Sequence, residues 1–284
     1  MTEGFAPHAV RPTPERSLPL LAAPGLGRRG RATARDRANN GFAPASNTGF
    51  EMNTNPQDIA SLQQDAASGL CYCVRETDSF PAGRLLLLHG VGSNEADLAP
   101  VANYIDPRVE VVLVQGPLAF GPRQHGFFEV SFQGGAPTIN ETQAERSRQQ
   151  LITLVRSFDA QDAKAAAHRV PTVIAGFSQG GILSASVALT APQEVAGFAV
   201  LSGRILPEIE PHLAPREALS KLSALIAHGE FDDKLPVTWA QRATQWLTAL
   251  GVPNQSHRYP IGHTLNQQVV SDFALWLAGP LRLA

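Results

Sequence analysis

Cysteine is nearly absent from this 284-residue chain, with Cys71 and Cys73 the only two. They stand too close together for a disulfide framework and are too few for a zinc site. In a strand they would point to one face, so they are read as small buried apolar residues of a protein kept in a reducing compartment, the cytoplasm. Long uncharged apolar runs are missing too, which leaves no candidate for a membrane-spanning helix. Neither sign of charge is in excess. A net charge of −2 gives nucleic acid or an anionic membrane no electrostatic footing as main partner. There is no phosphate-cradling loop, because the Gly176 to Gly181 stretch lacks the lysine of a P-loop. His125, His168, His212 and His257 show no metal-ligand spacing and are expected to face solvent. No metal and no cofactor are expected. The partner expected is a small molecule, taken by a monomer or homodimer.

The residues present divide the chain in two. Residues 1–50 hold seven arginines, three acids and six prolines, without a periodic apolar pattern. Such a composition cannot bury enough surface to offset chain entropy, and disorder is expected. The mildly apolar stretch 17–25 is broken by Pro19 and Pro24 and lacks a basic stretch just upstream, so it does not read as a secretory signal. An Arg-rich organelle-targeting segment is the minor alternative. The only methionine besides Met1 is Met52, where globular character begins. Residues 1–51 are read as a disordered Arg/Pro-rich extension or as sequence upstream of the true start, and residues 52–284 as one globular domain.

From about residue 68 short apolar runs recur, at 85–88, 111–114, 172–175, 198–201 and 224–227. Continuous rather than alternating hydrophobicity suits strands buried on both faces, as in a parallel sheet. Helical patterns lie between and after them, over 142–158, 179–189, 236–250 and 266–277. In the third, Trp239, Ala243, Trp246, Leu247 and Leu250 fall on one face, and Gly251 followed by Pro253 supplies the stop. Alternating strands and helices predict an α/β fold, a mostly parallel central sheet with helices on both faces. Each run ends in small or polar punctuation: His89-Gly90, Gln115-Gly116, Ser202-Gly203 and His228-Gly229. In parallel strands these ends share one edge, the edge at which such sheets bind ligands.

The run at 172–175 leads into Gly176-Phe177-Ser178-Gln179-Gly180, a strand, a sharp turn and a helix with serine at the apex. A serine hydroxyl is a weak nucleophile until a base takes its proton and its oxygen is exposed. The turn does the exposing, and Gly176 and Gly180 stand where a side chain would strike the neighbouring strand or helix. Asp232 follows the next-but-one strand, and His263 follows an apparent last strand at 255–259. An Asp in a turn is usually a helix cap, and a lone His is usually a surface or core residue. All three, in this order after successive strands, make a far rarer coincidence. His263 would take the Ser178 proton while Asp232 fixes the imidazole tautomer. Of the two adjacent acids, Asp233 stands three residues before Pro236, where it would favour the N-terminus of the next helix from solvent. Two N–H groups would face the developing oxyanion, those of Gln179 and of Val91, with Gly90 and Gly92 letting the backbone come close.

These blocks resemble the phospholipase/carboxylesterase family of α/β-hydrolases, which includes bacterial carboxylesterases and acyl-protein thioesterases. Leu87-Leu88-His89-Gly90-Val91-Gly92-Ser93-Asn94, Gly176-Phe177-Ser178-Gln179-Gly180-Gly181, Leu201-Ser202-Gly203, His228-Gly229-Glu230-Phe231-Asp232 and Gly262-His263 stand in the family's order, over about residues 68–280. The Phe-Ser-Gln-Gly-Gly elbow is considerably more specific than bare G-x-S-x-G. The resemblance implies Ser178, Asp232 and His263 as triad, with Val91 and Gln179 as oxyanion donors. The chain is read as hydrolysing carboxylic esters through an acyl-serine, short to medium ones because no clear lid insertion lies between the sheet strands. A lysophospholipase and an acyl-protein thioesterase are alternatives within it, and a catalytically silent binding module is one outside it. A lactonase of the dienelactone-hydrolase type would be expected to carry Cys as nucleophile. Two departures are visible. Phe127-Phe128-Glu129 stands where relatives usually have Trp-Phe-Asp, and Asp233-Lys234-Leu235-Pro236 replaces a more apolar stretch. The long connection 117–140 is read as an acyl-pocket wall bearing Phe120, Phe127, Phe128 and Phe132, or equally as satellite core under a loop. The stretch 203–216 is expected to be a surface excursion, and His89 and His228 to brace the turns after their strands.

Overall fold

The computed structural model describes residues 59–131, 138–166 and 168–283. The expectations for residues 1–51 and for Phe132 fall outside them. In chain order the strands are β1 (Gln63–Gln64), β2 (Cys71–Arg75), β3 (Gly83–Leu88), β4 (Val109–Val114), β5 (Leu118–Gly121), β6 (Gln124–Gly126), β7 (Val130–Ser131), β8 (Thr138–Ile139), β9 (Thr172–Phe177), β10 (Gly197–Leu201), β11 (Ser223–Gly229) and β12 (Asn254–Tyr259). The α-helices are α1 (Ala99–Ala102), α2 (Glu141–Ala166), α3 (Gln179–Thr190), α4 (Arg216–Leu219), α5 (Thr238–Leu250) and α6 (Gln267–Leu281).

Eight strands form one sheet in the order β1-β2-β4-β3-β9-β10-β11-β12. It is parallel from β4 to β12, with β1 and β2 joining antiparallel. Side chains alternate between two cores. In β3, Leu86 and Leu88 join the layer that holds α2, α3 and α5, whereas Leu85 and Leu87 join the layer that holds α1 and α6. Register fixes the functional edge. Leu88 pairs with Gly176 and Gly176 with Val200; Phe177 pairs with Leu201 and Leu201 with Ala227. The residues that follow β3, β9, β10 and β11 therefore leave the sheet in one row.

Most predicted elements stand within two residues of their expected limits. α2 instead runs eight residues past Phe158, because the polar side chains beyond that point find partners elsewhere. Asp162 takes both terminal nitrogens of Arg84 at 2.9 and 3.0 Å, and the Val170 N–H at 3.2 Å. Four other expectations need correcting. Cys71 and Cys73 are half-buried, not buried, since β2 buries only Tyr72 and Val74 fully. Connection 117–140 is not structureless, for it holds the small antiparallel pairs β5–β6 and β7–β8. The stretch 203–216 is not a pure surface excursion, because Ile205, Leu206 and Ile209 are buried in the core. His168, His212 and His257 face solvent, but His125 is half-buried, its N–H donating to Ser93 O at 2.7 Å.

Candidate active site

β9 ends at Phe177 and α3 begins at Gln179, so Ser178 alone turns the chain. It does so at φ 53° and ψ −113°, a conformation that L-residues seldom adopt without surrounding support. Support comes from both sides of the turn. The Ser178 N–H donates to Leu201 O at 2.8 Å, and the Ile182 N–H donates to Ser178 O at 3.1 Å. The expected collisions are present in the geometry. A Cβ on Gly176 would stand 2.4 Å from the Gly180 carbonyl carbon, and one on Gly180 would stand 2.1 Å from Leu88 O. Only glycine lets strand and helix approach this closely.

The side chain so presented meets the other two predicted partners. Ser178 Oγ lies 2.9 Å from His263 Nε2, and His263 Nδ1 lies 2.7 Å from Asp232 Oδ2. Asp232 is fully buried as a side chain, whereas His263 keeps some exposure. The carboxylate is saturated with donors. Oδ1 accepts from the N–H groups of Lys234 at 2.9 Å and Leu235 at 2.8 Å, and Oδ2 also stands 3.3 Å from His228 Nε2. Burial alone would raise the Asp232 carboxyl, but the hydrogen bonds from His228, His263 and Leu235 outweigh it and hold the group below the usual carboxylate range. An ionised Asp232 can only accept, so His263 carries its proton on Nδ1 and turns the Nε2 lone pair to the serine. The ring of Phe177 packs on the imidazole with centroids 4.8 Å apart. Asp233 points away, exposed and paired with Lys234 at 3.2 Å. Pro236 falls short of the α5 first turn, because the helix begins at Thr238.

The loop after β3 completes the row. Gly92 takes φ 78° and donates its N–H to His125 O at 2.8 Å, which arches Gly90 and Val91 over the elbow. A Cβ on Gly90 would be 3.4 Å from Ser178 Cβ. Among the described residues, neither the Val91 N–H nor the Gln179 N–H has a protein acceptor. His89 braces this turn, as expected: its Nδ1 lies 2.7 Å from Gly90 O, and its Nε2 accepts the Gly116 N–H at 2.9 Å. Burial pushes its pKa down to about 4, so the ring is neutral and its two nitrogens have fixed roles.

His228 braces the turn after β11 as expected, bonding Leu235 O at 2.7 Å. Two contributions were missed in the sequence. The same His228 nitrogen also reaches the Asp232 carboxylate at 3.3 Å; the His-x-x-x-Asp spacing was the only signal of that contact. The Gln179 side chain accepts the Phe127 N–H and donates to Phe128 O, each at 2.7 Å. It thereby fastens the connection after β6 to the elbow. No local pattern could have announced that bond, whose partners lie about fifty positions apart. The phenylalanines separate accordingly. Phe127 and Phe128 have no accessible surface and belong to the core, so they cannot touch a substrate as an acyl-pocket wall would. Phe120 remains 42% exposed and rests on Gly126. A hollow of about 150 Å³ lies between α2, α3 and the 206–212 turn, over Ala144, Leu183 and Ile209, and neither Ser178 nor His263 lines it.

The arrangement can move a proton from a serine hydroxyl to an imidazole oriented by a buried carboxylate, beside two N–H groups free to meet an oxyanion. Comparison with known proteins places the chain in a family. The profile of the family described as Phospholipase/Carboxylesterase matches residues 71–278. The chain belongs to this family. Among similar proteins, acyl-protein thioesterase 1 of Mycosarcoma maydis is 28% identical over 218 residues, covering 69% of this chain and 90% of the relative. The carboxylesterase of Mesorhizobium loti has the same fold, with TM-score 0.65 and 22% identity over 78% of this chain and 99% of its own. The Bacillus cereus carboxylesterase superposes with TM-score 0.62 at 22% identity, covering 74% and 94%. The family fold is thus an α/β-hydrolase, and its members are serine hydrolases that cleave ester bonds.

Proposed function

We propose that Ser178, His263 and Asp232 make this family member a carboxylesterase acting through an acyl-serine. The observation that carries the reading is the continuous chain of 2.9 and 2.7 Å contacts from Ser178 Oγ through His263 to the buried Asp232. Ser178 Oγ attacks the ester carbonyl carbon as its proton passes to His263 Nε2. The resulting oxyanion receives the N–H groups of Val91 and Gln179, a device that elsewhere contributes roughly 3–4 kcal/mol per donor. The imidazolium returns the proton to the departing alcohol, and water repeats the sequence to free the acid and restore the serine. The nucleophile is half-buried rather than enclosed, which favours soluble short- to medium-chain esters.

A thioesterase acting on acylated proteins is the second reading, favoured by the similarity to the Mycosarcoma maydis protein. A thiolate leaves without needing the proton that an alkoxide requires, so the same site serves both. One experiment separates the cases: labelling by a fluorophosphonate probe, followed by rates on p-nitrophenyl esters from acetate to palmitate, an acyl-CoA and a lysolipid. No labelling of Ser178 would leave a silent binding module instead. A cytoplasmic location fits two free thiols, and redox state after cell fractionation tests it. Residues 1–51 are proposed to be dispensable, to be checked by comparing a chain that starts at Met52.

A further inference from the structure

The loop after β10 carries a cation that the fold does not neutralise. β10 lies between β9 and β11, so its loop leaves the sheet between the serine elbow and the Asp232 loop. Gly203 packs on the elbow itself, where a Cβ would be 3.0 Å from Ser178 O. The next residue, Arg204, is half-buried. Its guanidinium stands over the Trp239 indole at 4.9 Å from the ring centroid, and that of Arg242 meets the same ring at 4.9 Å. Trp239 lies in the first turn of α5, directly after the Asp232 loop. Two guanidinium groups thus share one aromatic ring at the catalytic edge.

An aromatic face attracts a cation but leaves its charge and its planar fork of N–H donors unanswered. Arg84, at the opposite edge of the sheet, has the complement that a buried guanidinium ordinarily needs, namely Asp162, Glu110 and the Phe158 ring. Among the described residues, neither Arg204 nor Arg242 has a carboxylate at ion-pair distance or a hydrogen-bond acceptor. Burial lowers Arg204 from the ordinary guanidinium value, opposed only by the more distant charge of the exposed Glu208.

We propose that Arg204, backed by Trp239 and Arg242, forms a subsite for an anionic oxyacid group, carboxylate or phosphate, borne by the substrate ester. The inference rests on Ser178 being the nucleophile, because the subsite acquires its meaning from the neighbouring elbow. Either end of an ester can carry such a group, and the guanidinium fork would hold either by paired, charge-assisted hydrogen bonds.

The test uses the full chain and two substrate pairs. 4-Nitrophenyl butanoate against 4-nitrophenyl hydrogen glutarate places the charge on the acyl side. Monobutanoylglycerol against butanoylglycerol 3-phosphate, followed by pH-stat, places it on the leaving side. Arg204→Gln is expected to lower the anionic-to-neutral ratio of kcat/KM about tenfold in one pair, chiefly through KM, as loss of a charged hydrogen bond would. The affected pair identifies the end that carries the charge. Arg204→Lys, which keeps the charge but not the fork, should retain part of the preference. Equal loss on both members of each pair would reduce Arg204 to packing on Trp239 and overturn the proposal, as would unchanged ratios. A readout independent of turnover is tryptophan emission, which glutarate or glycerol 3-phosphate should shift in the wild type and not in Arg204→Gln. No shift in either protein also overturns the subsite. Failure of fluorophosphonate labelling, by contrast, counts against the serine.

Discussion

Asp162 and Asp232 are both buried aspartates, at opposite edges of one sheet, and they hold different kinds of partner. Asp162 meets Arg84 with two parallel bonds, and Arg84 also contacts Glu110 and the ring of Phe158. A guanidinium does not lose its proton at any pH a protein tolerates, so that charge pair is fixed. Asp232 meets two imidazoles and two backbone N–H groups. The His263 imidazole donates through Nδ1 and can accept a proton on Nε2, so this charge supports a partner that can change state. The same residue type thus locks the amino edge of the sheet and readies the carboxyl edge for chemistry.

The contrast can be tested edge by edge. The largest effect is expected from Ser178→Ala, which removes the proposed nucleophile without opening a cavity. Ester turnover should fall by at least about 10⁴ with the melting temperature held. Turnover that survived in the purified, folded variant would overturn the assignment. Asp232→Asn should cost about as much in kcat, since the amide favours the wrong imidazole tautomer. Asp233→Asn, one residue on, should alter kcat less than about twofold, as is usual for an exposed pair. If the two variants exchanged ranks, Asp233 rather than Asp232 would be the acid at work.

At the other edge the balance reverses. Asp162→Asn leaves a buried guanidinium short of its main counter-charge, which should destabilise the fold by about 3–5 kcal/mol in denaturant unfolding. The kcat per active site, counted by fluorophosphonate titration, should stay near wild type. A large fall in that value would mean that the two edges are not independent. A further effect on stability concerns pH. His89 titrates at about 4 when folded, against an ordinary 6.5, so the unfolded chain takes up its proton first. Stability should therefore decline as pH falls from 6.5 to about 4, by up to about 3 kcal/mol. Asp232, whose folded carboxyl lies below its ordinary value, keeps its contribution above that value and loses it only in stronger acid. In His89→Gln, less stable throughout, the decline between 6.5 and 4 should shrink; an undiminished decline would place its origin elsewhere.

What could be read from the sequence followed the range of the forces involved. The elbow was legible because its constraints are local: two glycines, a strand and a helix within a dozen residues. Ser178, Asp232 and His263 were legible because parallel topology brings the ends of β9, β11 and β12 to one edge, and apolar runs announce such strands. The length of α2 was not, since Asp162 stays helical through a bond to Arg84, 78 positions away. Phe127 and Phe128 were equally opaque. An aromatic in a long connection reads alike whether it faces a substrate or the core, and the difference is set by the Gln179 amide that pulls the segment inward. Arg204 has no local signature at all, because its state depends on which acids the fold brings near it.

The contact between Gly180 and Leu88 has one more consequence. Gly180 stands in the first turn of α3 just after the proposed donor Gln179, and Leu88 ends β3 three residues before the proposed donor Val91, with room between them for no carbon atom. The two N–H groups come from segments about ninety positions apart, yet their spacing is gauged at a single point of touch close to both. A side chain added at that point would part α3 from β3 and move both N–H groups at once.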